Sequence, residues 1–330
     1  MNFIQIDGWA AAGKGALWSL LDGHKDIFVN PIHDFSHCAL FNDITHNSFR
    51  KAFATTEYYK LEKLSKIGYD PIDFGGKKSI NNIFNFDFYE FDKKIAEYLS
   101  DPYKIKDVGV ILDVYMNAFI ESYKNKKYHS NELKYFASMG NYYLWQSYTN
   151  SELMRCIHTI FVRRSPEGII AARINREKRS IDSEGSNQFA PSFTQLMSIG
   201  DVEAICAYND LISSMEKNFP SSVLVLDFED LIINTEDTMR RVAKFLSIDF
   251  DPILCISTRD GQPISIGETS FVGKVNDDPD LILSFWQKKR IKLHCYLYNL
   301  HRLPVNLFSI NSIGLWLYRY LKKTNIIRSL

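Results

Sequence analysis

The sequence predicts an α/β fold: a P-loop-like parallel sheet flanked by helices on both faces. Three observations carry this. The chain opens with a short apolar run, Phe3-Ile4-Gln5-Ile6, that passes through a loop of small residues, Gly8 to Gly13, into a helical stretch. Two later apolar runs, Thr159 to Arg163 and Val223 to Leu226, are also followed by helical patterns. Strands alternating with helices are the signature of a parallel sheet wound on both faces. The composition is ordinary for a globular chain, with 45% hydrophobic and 24% charged residues over 330 positions, so a sizeable core is expected. No repeat and no long flexible linker divides residues 1–330, which read as a single domain.

Taken in order, Phe3 to Ile6 reads as a buried strand. The helix after the loop places Leu17, Leu20 and Leu21 on one face, with Gly23 as its stop. Ile27-Phe28-Val29 is a second strand, ended by Pro31. Residues 35–130 form a variable acceptor or lid region rich in Tyr, Phe, Asn and Lys. Within it, Phe84 to Phe91 alternates polar and aromatic and reads as a strand or a turn of a lid. It could stack on a sugar ring, although such a run is more often core. Asp107 to Tyr123 reads as a helix, with a Val-Ile-Leu run that also suits a strand. Leu133 to Ser138 and Thr159 to Arg163 read as strands. A helix starts at Pro166, where proline fits the first turn, and runs to about Arg179. Gly185 to Pro191 is a loop, and Phe193 to Asn218 is largely helical. After the strand at Val223, Thr235 to Leu246 is an amphipathic helix with Met239, Val242, Ala243 and Leu246 inward.

Charge and cysteine usage narrow the classes. Net charge is zero, but Leu281 to Leu330 holds nine Lys/Arg and no Asp or Glu, so that tail is +9 and residues 1–280 are −9. Such a tail fits an anionic surface, a partner or the acidic body itself, and nothing points to nucleic acid. An amphipathic helix lying on an anionic membrane is one reading of it. No apolar run reaches the length of about 18 residues that a spanning helix needs. The opening apolar run is too short for a signal peptide. Five cysteines (Cys38, Cys156, Cys206, Cys255, Cys295) are scattered singly. That spacing argues against a disulfide framework or a zinc site and fits a reducing, cytoplasmic setting.

Two stretches carry chemistry. Gly8-Trp9-Ala10-Ala11-Ala12-Gly13-Lys14-Gly15 is one residue short of the phosphate-binding pattern G-x-x-x-x-G-K-S/T. A strand that delivers a glycine turn into a helix N-terminus converges backbone N–H groups on one point, and the helix dipole adds positive character. Lys14 adds a full charge. Gly15 lacks the hydroxyl that ligates magnesium in phosphoryl-transfer enzymes. The competing reading is a simple strand-to-helix turn with a solvated lysine. The second stretch, Ile160-Phe161-Val162-Arg163-Arg164-Ser165-Pro166-Glu167-Gly168, ends a buried strand in two arginines before a helix. That makes a second anion site, or two solvated arginines.

Together these stretches resemble the sulfotransferases that use 3′-phosphoadenosine-5′-phosphosulfate. "LLDGHKDIFVNP" (Leu20 to Pro31) is similar to the segment after the family's 5′-phosphosulfate loop. "FVRRSPEGIIAAR" is similar to its 3′-phosphate strand and helix, and "VLVLDFEDLIINTEDTMRRVAKFLSIDFDP" to its later strand and acidic helix. The resemblance covers residues 1–35 and 155–275. It implies that Gly13, Lys14, Gly15 and Ala16 cradle the 5′-phosphosulfate through backbone N–H groups, with Lys14 stabilising the bridging oxygen as the sulfuryl group leaves. Arg164 would bind the 3′-phosphate. Ala172 stands where the family carries a second 3′-phosphate ligand, a serine, and Arg173 is the candidate substitute. Ser270 and Lys274 would belong to a late loop over the nucleotide. The base, by the same resemblance, follows the second strand, where Asp34 and His33 stand. Asp34 as a helix cap and His33 as a solvated side chain is the competing reading. A metal on His33 and His37 would need a helix and a third ligand, and no metal is expected.

The expected function is metal-independent, in-line sulfuryl transfer to a hydroxyl of a carbohydrate or glycolipid acceptor. Two alternatives remain: an ATP-dependent phosphotransferase with Asp227 on magnesium, and a non-catalytic protein that binds a nucleotide or anion.

Overall fold

The computed structural model describes residues 1–30, 86–99, 108–123, 133–139, 157–184, 199–259, 261–263 and 278–302. The chain folds as two compact units, residues 1–162 with 216–274, and residues 163–215 with 275–330.

The first unit is built on a five-stranded sheet in the order β2-β3-β1-β4-β5. β1 (Asn2–Asp7) is its centre and pairs in parallel with β3 (Tyr135–Met139) and β4 (Ile157–Arg163). β2 (Ile27–Val29) pairs in parallel with β3, and β5 (Val223–Asp227) forms the other edge. Every residue of β1 after Asn2 is buried. That accounts for its near-continuous apolar run, since a strand covered on both faces shows no clean alternation.

The register sorts the side chains. Phe3 lies beside Phe136 and Ile157, and Phe28 beside Phe136. This face is covered by α2 (Phe88–Leu99) and α3 (Val108–Ser122), whose Phe91, Tyr115, Met116 and Phe119 join Phe3, Phe28, Phe86 and Phe136 in one apolar cluster. The rings meet edge-on, tilted or offset, with centroids between 4.8 Å for Phe86–Phe119 and 6.2 Å for Phe91–Tyr115. These geometries suit the ring quadrupole and add about 0.5–1.5 kcal/mol per pair beyond burial. On the opposite face Tyr135 and His158 meet edge-on, and the Tyr135 hydroxyl donates to Leu246 O at the end of α7 (Thr235–Phe245). Helices therefore cover both faces.

In the described part of the aromatic stretch, Phe86 to Phe91, no strand forms, and the core reading holds for Phe86 and Phe91. Phe86 makes one isolated antiparallel bridge to Tyr123, and α2 begins at Phe88. Phe86 and Phe91 are both buried against Phe119, so the aromatic spacing serves a helix packed on the sheet. The ambiguity at Asp107 to Tyr123 resolves as the helix α3.

The second unit is helical over its described residues. It contains α4 (Pro166–Glu184), most of α5 (Ile199–Asn218), α8 (Pro279–Ile282) and α9 (Phe285–Arg302). Ile170, Ala171, Val202, Leu283 and Ile291 form its apolar centre. Pro166 is the first residue of α4, as its fixed φ favours. No helix among the described residues is long and apolar enough to cross a membrane.

Candidate functional site

In sheets of this kind ligands bind outside the carboxyl ends of the strands, where the winding direction reverses. Here the reversal lies between β1 and β4, because β3 and β2 lie on one side of β1 and β4 and β5 on the other. Asp7, the last residue of β1, is in register with Phe161 of β4.

The glycine loop follows. Gly8 passes so near β4 that a Cβ there would lie 2.6 Å from Val162 O. Ala11 and Gly13 have φ of 70° and 104°. Gly13 is the N-cap of α1 (Lys14–Leu21) and stands against the ring of Phe228. First-turn N–H groups have no carbonyl of their own helix four residues back to bond. One of them, the Ala16 N–H, turns back to Gly13 O at 3.0 Å.

Lys14 folds back over Gly8 toward Asp7. Its Nζ lies 3.8 Å from Asp7 Oδ1, with Lys14 13% and Asp7 0% exposed. The same Oδ1 accepts the Gly8 N–H at 2.6 Å. A buried carboxylate requires a charge partner or several donors, and Asp7 has the ammonium and a backbone amide. In the sequence Asp7 stands only as the end of a strand. Its one signal is an acid directly before the first glycine of the loop.

The second anion-type stretch is more ordered than a solvated loop. Arg164 is 2% exposed, which rules out the solvated reading for this residue. Its side chain covers Gly168, where a Cβ would lie 2.7 Å from Arg164 Nε. Ser165 caps α4, its Oγ accepting the Gly168 N–H at 3.1 Å and its carbonyl the Ile169 N–H at 2.9 Å. From α5, Asn209 Nδ2 donates to Arg164 O at 3.1 Å, and Arg163 Nη1 donates to Ser213 Oγ at 3.0 Å. Both arginines are thus tied to α5, one through its backbone and one through its side chain. Arg173 is half-buried on α4, beside the buried Ala172. Adjacent helical residues point about 100° apart, so Arg173 does not take the direction of the residue at 172.

Of the remaining stretches of the resemblance, one packs against the loop and the other anchors the end of α1. Asp227 ends β5 and Phe228 opens α6 (Phe228–Ile233), putting the ring against Gly13. Asp230 accepts from Asn234 Nδ2 at 3.1 Å, and its carbonyl accepts the Asn234 N–H at 2.8 Å. In "LLDGH", His24 is buried; its Nδ1 accepts the Asp26 N–H at 3.2 Å. The ring proton therefore sits on Nε2, which donates to Asp249 O at 3.1 Å. Asp22 Oδ2 accepts the Gly261 N–H at 2.6 Å, and the Thr258 hydroxyl donates to Ser19 O at 3.2 Å. These bonds fasten the end of α1 to the hairpin of β6 (Thr258–Arg259) and β7 (Gln262–Pro263). His33, Asp34, Ser270 and Lys274 lie outside the described residues.

No protein-family model matches the chain, and no curated protein matches its sequence. Solved structures do. The sulfotransferase domain of the olefin synthase of Synechococcus PCC 7002 aligns over 92% of this chain and 96% of its own, with TM-score 0.54 and 13% identity. The fold is that of a sulfotransferase domain. The sulfotransferase domain from the curacin biosynthetic pathway is also similar, with TM-score 0.47 and 13% identity over 89% of this chain and 97% of its own. Retinol dehydratase, in complex with androsterone and the inactive cofactor PAP, aligns at TM-score 0.41 and 11% identity over 90% of this chain and 80% of its own.

Proposed function

We propose that this chain transfers a sulfuryl group from 3′-phosphoadenosine-5′-phosphosulfate to a hydroxyl of a carbohydrate or glycolipid acceptor. The observation that carries the reading is the junction of β1, glycine loop and α1. It brings Lys14 beside Asp7 at the carboxyl end of the central strand, with Gly15 in the sequence position where the phosphate-binding pattern carries a hydroxyl. Gly13, Lys14, Gly15 and Ala16 hold the 5′ end of the donor. Arg164 takes the 3′-phosphate; Arg173, turned about 100° from position 172, has no part in this reading. Ser270 and Lys274 contribute from the later loop.

In this reading the acceptor oxygen bonds to sulfur while the bond from sulfur to the bridging phosphate oxygen breaks. Adenosine 3′,5′-bisphosphate leaves, and Asp34, or His33 beside it, takes the hydroxyl proton. Lys14 stabilises negative charge as it develops on the bridging oxygen. The protein supplies position and electrostatics, without a metal.

Calorimetry with adenosine 3′,5′-bisphosphate tests the reading: binding is expected without magnesium. Magnesium-dependent ATP binding, with none of the bisphosphate, would instead favour phosphoryl transfer with Asp227 on the metal. Asp227 stands at the end of β5, the position that role would use. Binding of neither nucleotide would favour the non-catalytic alternative.

We also propose that the basic region from Leu281 makes a peripheral contact with an anionic membrane. Along α9, Phe285, Trp286, Leu293 and Tyr296 are exposed, with Lys289 and Lys292 interleaved. Apolar and basic side chains on one helix face suit the boundary between headgroups and acyl chains. Co-sedimentation with vesicles containing phosphatidylserine, and none with phosphatidylcholine alone, is the expected result.

A further inference from the structure

Cys206 on α5 and Cys295 on α9 are 89 residues apart, yet their sulfurs are 3.6 Å apart. Both thiols are free and partly exposed. A second contact runs alongside, because Tyr298 OH donates to Asp210 Oδ2 at 3.0 Å, one turn further along each helix. The two sulfurs also flank the apolar centre formed by Ile170, Val202, Leu283 and Ile291. Helices held together on two levels keep these thiols as neighbours.

We propose that Cys206 and Cys295 form a redox modification site, closed to a disulfide by a peroxide. The thiolate of Cys295 attacks one oxygen of hydrogen peroxide, giving a sulfenic acid and releasing hydroxide. The sulfur of Cys206 then displaces that hydroxyl, the S–S bond forms, and its proton leaves with it as water. In total, two thiols and one peroxide give one disulfide and two waters. The sulfurs must approach by about 1.5 Å to reach bonding distance, a shift within the reach of χ1 rotation and a small helix adjustment.

The division of roles follows from the contact. The Cys206 S–H donates to Cys295 Sγ. That hydrogen bond holds the Cys295 thiol below its ordinary value and pushes Cys206 above its own, with burial raising Cys206 further. Cys295 is therefore the attacking thiolate and Cys206 the resolving thiol. The consequence lies one to two turns away. Asn209 and Ser213, which hold Arg164 and Arg163, are on α5 after Cys206. A disulfide would pin that helix to α9 at the level just before them.

The test uses the full chain treated with stoichiometric hydrogen peroxide, then alkylated and mapped by mass spectrometry. The expected product is a peptide pair joined through Cys206 and Cys295, two hydrogens lighter than the reduced pair and restored by dithiothreitol. It should form roughly tenfold or more faster in the folded chain than in urea, because the fold supplies the proximity. Cys206→Ser should leave a sulfenic acid at Cys295 that dimedone traps. Cys295→Ser should leave Cys206 as a free thiol. A folded wild-type chain in which both residues are alkylated singly, or in which Cys206 pairs with another cysteine, overturns the proposal. So does closure at the same rate in urea. None of these outcomes depends on the nucleotide chemistry proposed above.

Discussion

The ring of Phe228 fills the space in which a side chain at Gly13 would stand. A Cβ at Gly13 would lie 2.5 Å from Phe228 Cε2 and closer still to Cδ2. The segment after β5 is therefore a wall of the glycine loop, although more than two hundred residues separate them in the chain. Gly13→Ala should be destabilising by about 1–3 kcal/mol, as overpacking is, with a further cost from its φ of 104°. Phe228→Leu should recover part of that loss in the double variant, because the two sites share one space. Denaturant midpoints for the four proteins check this. Additive losses would mean that the loop yields elsewhere.

Lys14 and Asp7 should separate by charge. Lys14→Met is expected to lower turnover roughly a hundredfold to a thousandfold, the size of effect seen when a transition-state donor is removed. Asp7→Asn keeps an acceptor for the Gly8 N–H but removes the charge facing Lys14. The ammonium then loses its buried counter-ion, so affinity for adenosine 3′,5′-bisphosphate should rise and become more salt-sensitive. Calorimetry at low and moderate ionic strength measures both. If Asp7→Asn weakens binding as much as Lys14→Met does, the carboxylate is part of the binding surface and not a counter-charge.

The sequence makes some of this plain and hides the rest for physical reasons. β1, β2, β4 and β5 show as apolar runs because a sheet covered on both faces needs them. The inward set Met239, Val242, Ala243 and Leu246 shows because a helix with one buried face repeats every three or four residues, and all four are buried. Pro166 marks the start of α4 through its fixed φ. The aromatic run up to Phe91 reads as core or strand because its alternation suits a strand locally, while the burial of Phe91 on a helix is decided by distant partners, Tyr115 and Phe119. The burial of Arg164 is equally hidden. It depends on a glycine four residues later and on Asn209 of another helix. The meeting of Asp7 with Lys14 requires the loop to fold back on itself, which no spacing in the chain specifies.

Arg164 offers the sharpest test of the nucleotide. Arg164→Gln should weaken adenosine 3′,5′-bisphosphate by about ten- to a hundredfold, the range for a lost hydrogen bond to a charged group. Affinity for adenosine 5′-monophosphate should stay unchanged. Lysine is not expected to rescue, since a point charge cannot reproduce the planar fork. Circular dichroism of each variant separates this from misfolding. Equal losses for both nucleotides would move Arg164 away from the 3′-phosphate.

The stability of the fold should depend on pH through His158. The imidazole lies edge-on between Tyr135 and Phe245, with centroids 5.6 Å and 5.5 Å away. Burial holds its pKa below the ordinary histidine value. The unfolded chain therefore takes up a proton at this site near pH 6.5, while the folded chain resists until lower pH. Stability is full above that value and falls as the pH drops below it. His294 acts in the same direction, lowered first by burial and then by Arg290, with Glu203 opposing. His158→Phe removes the first contribution and keeps the aromatic packing. Its urea midpoint should fall less than that of the wild type between about pH 7.5 and pH 5.5, the interval across which an ordinary histidine titrates. Identical slopes for the two proteins would show that His158 takes up its proton equally in the folded and unfolded states.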